Sequence, residues 1–258
     1  MNDLHILRTG QGPIVVLSHA LGTDLHMWDA VATLLAPHYT VLRYDQRGHG
    51  RSPATCAPLS IDDLADDAAS LIEREANGPV HFVGLSMGGM VAQSLAARRP
   101  TCTTSIVIAN SASRYDEAAK ALWQARVQQV RKHGVESIAD GAIERWFTAG
   151  FRARSPEQIA ALRERLVGTD AASYAACCEA VASIELHAGN AQITCPALII
   201  AGLQDAATPP AQSVEIRQTI PDAELVEIDA AHLSAVEQPE RFAAALQTFW
   251  QKTSTAPH

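Results

Sequence analysis

The sequence predicts an α/β fold: a mostly parallel central sheet with helices on both faces and a block of helices inserted late in the chain. Three observations carry this. Short runs rich in Val, Ile and Leu alternate with amphipathic stretches, the pattern of strands buried on both faces by crossover helices. The alternation stops from about 114 to 190, where the chain is rich in Ala, Glu, Arg and Gln and has no strand-like run. It then resumes with apolar runs at Ala197–Gly202 and Glu224–Ile228 and a closing amphipathic stretch. At 258 residues the chain can bury a full core, so neither a metal nor a disulfide is needed to stabilise it.

Taken in order, the early strands fall at Ile14–Ser18, 41–44, Val80–Leu85 and 105–109, with helices near 28–36, 61–76 and 88–99 between them. Ser60 precedes the second helix and can cap it, and the acids that follow suit the positive end of its dipole. Asp62, Asp63, Asp66 and Asp67 give that helix an acidic face, read as solvated rather than as a metal site. The helical block divides the chain into a core, residues 1–112 and 191–258, and an inserted cap, residues 113–190. A last helix near 239–251 follows, and the tail after Lys252 is expected to fray.

Composition narrows the function classes. Hydrophobic residues make up 47% and charged residues 19%, as in ordinary soluble globular proteins. A formal net charge of −8 and the lack of a Lys/Arg run argue against nucleic acid as a partner. An anionic substrate would then need a local cation to hold it. The cysteines, Cys56, Cys102, Cys177, Cys178 and Cys195, are odd in number and show no C-x-x-C spacing, which argues against a disulfide framework or a zinc site. Adjacent Cys177 and Cys178 read as small apolar helix residues. Residues 1–5 carry no basic segment leading into an apolar run, and the apolar stretches are strand-length. A cytoplasmic location with no membrane association is therefore expected.

The run Val80-His81-Phe82-Val83-Gly84-Leu85-Ser86-Met87-Gly88-Gly89 reads as a strand, a G-x-S-x-G and a helix start. So sharp a turn leaves no room for side chains two residues before and two after the serine, and Gly84 and Gly88 meet that need. The bare motif arises by chance in about one chain of this length in ten. Its place between a buried strand and a helix, with further strands after it, makes it the nucleophile elbow of the α/β-hydrolase fold.

A serine hydroxyl needs a base, and the base an orienting carboxylate. In this fold they follow the serine in the order acid, histidine. Of the later histidines, His133 and His187 lie in or near the end of the cap and His258 is the terminus. Only His232 follows a late strand in a short loop. Asp205 stands just past the strand Ala197–Gly202 and supplies the acid, whereas Asp229 is too near His232 in sequence and Asp222 sits on a turn. The oxyanion donors expected are the backbone N–H groups of Met87, next to the nucleophile, and of Leu21, in the loop after the early strand. Ala20 stands in that loop where many relatives have glycine.

Longer stretches resemble one family, the 3-oxoadipate enol-lactone hydrolases. They are Ser18-His19-Ala20-Leu21-Gly22-Thr23-Asp24-Leu25-His26-Met27-Trp28-Asp29, the segment 41–50 ending in Arg47-Gly48-His49-Gly50, and the elbow itself. Ile143-Glu144-Arg145-Trp146-Phe147-Thr148 and Tyr174-Ala175-Ala176-Cys177-Cys178 extend the likeness into the cap. Segments 201–210 and 229–234 extend it to the acid and histidine loops. The resemblance implies hydrolysis of an enol-lactone to 3-oxoadipate in bacterial aromatic breakdown, through an acyl-enzyme on Ser86 and with no cofactor or metal. The implied substrate is a small anionic lactone, so a cation is required. Arg145 is the candidate, since a guanidinium binds a carboxylate bidentately, although a solvated helix arginine looks the same in sequence. Trp146 is either a pocket wall or a cap core residue, and for Trp28 and Met90 core packing is favoured. A carboxylesterase or a carbon–carbon bond hydrolase of the same fold is the alternative. Oligomeric state is left open.

Overall fold

The computed structural model describes residues 3–55 and 58–255, so Cys56 and His258 lie outside the described residues. The strands are β1 (Ile6–Thr9), β2 (Ile14–Ser18), β3 (Thr40–Tyr44), β4 (Val80–Leu85), β5 (Thr103–Ala109), β6 (Ala197–Gly202) and β7 (Glu224–Ile228). They form one sheet in the order β1-β3-β2-β4-β5-β6-β7. Every neighbouring pair is parallel except β1 with β3, which is antiparallel. The sequence reading missed β1. It is a four-residue edge strand, half exposed and without an apolar run, and its pairing to β3 rather than its own pattern makes it a strand.

The crossover helices are α1 (Asp29–Leu35), α2 (Ile61–Glu75) and α3 (Met87–Arg98). Ser60 and Asp63 form a reciprocal capping box at the start of α2. The acidic face of α2 is not simply solvated, which corrects the expectation. Asp67 takes two bonds from Arg47, Asp66 pairs with Arg98 and Arg99, and Asp62 accepts from Ser94. Because α2 packs beside α3, its acids meet the arginines at the end of that helix and clamp the two together.

Five helices follow β5 among the described residues: α4 (Glu117–His133), α5 (Glu136–Trp146), α6 (Ala149–Arg154), α7 (Pro156–Val167) and α8 (Ala171–Ala182). Cys177 and Cys178 are buried in α8, where their thiols are pushed up to about 12 by burial, so they serve as apolar filler. After β6 come α9 (Pro210–Thr219), β7, the single turn α10 (Ser234–Glu237) and α11 (Pro239–Thr255). The last helix runs past Lys252 instead of fraying there. Lys252 reaches Glu224 at 2.7 Å and the Thr253 hydroxyl bonds the carbonyl of Trp250, which anchors that turn. No helix among the described residues is long and apolar enough to cross a membrane.

Candidate active site

All the expected site residues of the core lie beyond the C-terminal ends of parallel strands, where such sheets leave a crevice. At the end of β4 the chain reverses into α3 through Ser86, held at φ 58° and ψ −115°. That strain costs about 1–3 kcal/mol and persists only because the surroundings impose it. A Cβ on Gly84 would lie 1.9 Å from the carbonyl oxygen of Gly88, and one on Gly88 would lie 2.1 Å from that of Ser18. Ser86 N–H donates to the carbonyl of Ala109 at 2.8 Å, and the Ser111 hydroxyl donates to the carbonyl of Ser86 at 2.8 Å. Backbone collisions on one side and hydrogen bonds on the other leave the serine one position.

The acid and base stand beyond the ends of β6 and β7, with β5 lying between them and the strand of the serine. Asp205 is buried in the loop after β6, and its Oδ2 lies 2.9 Å from Nδ1 of His232, in the loop after β7. Oδ1 accepts the N–H groups of Ala207 and Thr208; Oδ2 also accepts from Asn110 Nδ2 and the Thr208 hydroxyl. Burial alone would raise this carboxyl, but His232 and the donors outweigh it and hold the group below the usual carboxylate range. With Nδ1 bound to a carboxylate, the ring presents Nε2 as its free nitrogen, the tautomer a general base requires. His232 and Ser86 line one cavity, and no hydrogen bond joins them in this conformation. The rejected carboxylate Asp229 is turned away, accepting from Gln204 at 2.7 Å.

Leu21 lines the same cavity, and Met87 begins α3 directly after the serine. Neither N–H has a protein acceptor among the described residues. The loop of Leu21 is held from beneath by two buried histidines. His49 Nε2 accepts the Gly22 N–H at 3.0 Å, and His19 Nε2 accepts the Gln46 N–H at 2.8 Å. Burial, then the neighbouring His19, pushes His49 down to about 3, so it stays neutral and able to accept. Ala20 does not sit in the left-handed region; Gly22 does, at φ 75°, so the missing glycine at position 20 costs nothing.

The cavity measures about 620 Å³, and the segment between β5 and β6 supplies one wall of it: Tyr115, Leu122, Trp123 and Arg126 with Arg145, Trp146 and Tyr174. Arg145 and Trp146 therefore both reach it, and Trp146 is at once a wall and a buried residue. Trp28 and Met90 are core residues outside the lining, Trp28 packing against Phe242 with ring centroids 5.7 Å apart. The end of α5 is tied to the histidine loop at two points. Leu233 N–H donates to the Trp146 carbonyl at 3.1 Å, and buried Glu237 accepts the N–H groups of both Ala231 and Thr148.

Sequence reasoning missed Asn110, Thr208, Glu237 and Arg126. Two of them had a signal. Asn110 is a polar residue at the C-terminal end of a buried strand, and it adopts φ 47°, which Asn tolerates. Thr208 stands three residues after Asp205, the spacing of a side-chain-capped turn.

The alpha/beta hydrolase fold family matches residues 13–239. A 3-oxoadipate enol-lactonase of Acinetobacter baylyi is 37% identical over 240 residues, 93% of this chain and 89% of that protein. The solved enol-lactonase from Burkholderia xenovorans LB400 superposes with a TM-score of 0.93 at 37% identity, covering 97% of each chain. A malate-bound thermophilic esterase from Thermogutta terrifontis superposes with a TM-score of 0.92 at 29% identity, covering 98% of this chain and 95% of that one. The chain is a hydrolase of the α/β-hydrolase fold and belongs, within it, to the family of the 3-oxoadipate enol-lactonases.

Proposed function

We propose that this protein hydrolyses 3-oxoadipate enol-lactone to 3-oxoadipate through an acyl-enzyme on Ser86. The observation that carries the reading is one cavity in which a strained serine and an Asp205-bound histidine face two arginines of the cap. Ser86 Oγ attacks the lactone carbonyl while His232 Nε2 takes its proton. Asp205 keeps the ring in the required tautomer and stabilises the imidazolium. The oxyanion meets the N–H groups of Met87 and Leu21, each such donor being worth about 3–4 kcal/mol to a tetrahedral intermediate. The enol leaves with the proton from His232. Water, activated by the same nitrogen, then releases the acyl chain. No step calls for a metal or an organic cofactor.

Residues 113–190 act as the cap, and in it Arg145 holds the substrate carboxylate while Trp146 walls the pocket. The reaction belongs to bacterial aromatic catabolism and takes place in the cytoplasm. Support comes from the family and from the chemistry of the cavity together. The esterase relative favours a second reading, a carboxylesterase using the same three residues. The deciding experiment is kcat/KM on the enol-lactone, generated in situ, beside p-nitrophenyl acetate and butyrate. A strong preference for the lactone supports the proposal; fast esters with an inert lactone select the esterase.

A further inference from the structure

Several arginines of the described chain have a carboxylate beside them: Arg43 has Asp29, Arg47 has Asp67, Arg114 has Glu215, Arg163 has Asp140 and Arg165 has Asp24. Two others, Arg126 and Arg145, line the cavity. Neither Arg126 nor Arg145 has a carboxylate within ion-pair distance among the described residues. Both are half-buried, and they lie near enough to repel each other. Burial and then the charge of Arg126 both weigh against the Arg145 guanidinium. Glu144 and the Tyr174 hydroxyl offset only part of this, and two like charges sharing a half-buried wall with no carboxylate in contact work against the folded state. In a chain with a net charge of −8, carboxylates to neutralise them were plentiful.

The local structure shows how the pair is held. On α4, Ala119, Leu122, Trp123, Arg126 and Gln129 recur at helical spacing and face the cavity together. The Arg126 guanidinium lies 4.7 Å from the centroid of the Trp123 ring one turn back, a stacking contact that orients the planar fork. The Tyr174 hydroxyl stands beside it. On α5, Gly141 lies one turn before Arg145, and a Cβ there would come 3.4 Å from its Nη1, so the missing side chain gives that guanidinium room.

We propose that Arg126 is a second specificity-determining residue, forming with Arg145 a two-guanidinium clamp in the cap that holds the carboxylate of a substrate whose carbonyl lies at Ser86. The clamp rests on the acyl-hydrolase reading of this cavity and adds the residue, and the paired geometry, that select an anionic acyl group. One guanidinium satisfies two of the lone-pair sites of a carboxylate; a second satisfies those that remain. The repulsion between the arginines is relieved only when an anion is bound, which favours a charged substrate over its neutral analogue.

The test uses the full-length enzyme and its Arg126→Ala, Arg126→Lys and Arg145→Ala variants. Two readouts are taken: kcat/KM on the enol-lactone, and inhibition by succinate of p-nitrophenyl butyrate hydrolysis. Ester hydrolysis in the absence of inhibitor reports that each variant is folded and competent. The expected result is a loss of about 30-fold in lactone kcat/KM and in succinate affinity for Arg126→Ala, carried by KM, with the ester changed less than about twofold. Arg126→Lys should recover only part of it, because an ammonium restores the charge but not the fork. Arg126→Ala losing ester and anion activity equally would make the residue structural and overturn the clamp. So would unchanged lactone kinetics and succinate affinity in Arg126→Ala beside a clear loss in Arg145→Ala, which leaves the proposed function standing. An inert lactone with succinate inhibition weakened in both arginine variants would instead remove the lactone reading and keep the clamp.

Discussion

The two walls of the cavity are built differently. On the core side, each group has one position. Ser86 is pinned between Gly84, Gly88 and the end of β5, and Asp205 accepts from five donors. On the side of the helices between β5 and β6, α4 buries only Val127 and Val130, Leu122 is 74% exposed, and among the described residues neither Arg126 nor Arg145 has a carboxylate within ion-pair distance. Bond making tolerates little displacement, so the groups proposed for it sit where backbone collisions and saturated hydrogen bonds resist movement. Choosing a substrate needs only suitable charges on a surface that can change without disturbing the elbow. One wall is therefore expected to affect every substrate alike, and the other to affect them by charge.

That contrast can be broken at several points. Ser86→Ala should lower kcat/KM by at least about 10⁴-fold on lactone and neutral ester alike, with an unchanged circular dichroism spectrum. Measurable turnover by the variant would remove the serine from its role. Gly84→Ala forces a methyl group into the Gly88 carbonyl and should cost about 3 kcal/mol in urea unfolding; full stability would mean the elbow can relax. Arg145→Ala should raise KM for the anionic lactone about 30-fold and leave p-nitrophenyl butyrate within about twofold. Parallel losses would place this arginine in the fold rather than in selection.

The smallest effect concerns pH. Buried His49 is held down to about 3 and His81 to about 4, so both stay neutral in the folded protein where the unfolded chain protonates near pH 6.5. The unfolded state then binds more protons, and stability must fall as pH drops from about 6.5 to about 4. His49 alone contributes about 1 kcal/mol per pH unit in that window. His49→Gln should flatten the slope of unfolding free energy against pH, measured between pH 7 and pH 5. An unaltered slope would show that the histidine under the Leu21 loop does not resist protonation.

The sequence carried the core wall and only part of the wall built by α4 and α5, for physical reasons. A doubly buried strand must be apolar throughout, and a strand-to-helix reversal must have glycines, so β4 and its elbow are written in residue types. Asp205 and His232 were recoverable because each follows a late strand, buried β6 and the half-exposed β7, in the order the fold requires. Asn110 and Thr208 were less visible, since an ordinary loop could also carry them. Arg126 had no signal of its own. It is one of several arginines in a helical stretch, and only the tertiary pairing with Arg145 distinguishes it from a solvated one. The acidic face of α2 failed for the same reason: its partners, Arg47, Arg98 and Arg99, lie elsewhere in the chain.

The most direct test compares the enol-lactone with its own methyl ester, which has the same ring and reacting carbonyl but no negative charge, in the wild-type enzyme and in Arg145→Ala. The account predicts that the wild type prefers the anion by about 30-fold or more in kcat/KM, and that the preference falls at least about tenfold in the variant, where Arg126 alone remains. Equal efficiency on both substrates in the wild type would contradict it, because the arginines of the cap would then be selecting nothing.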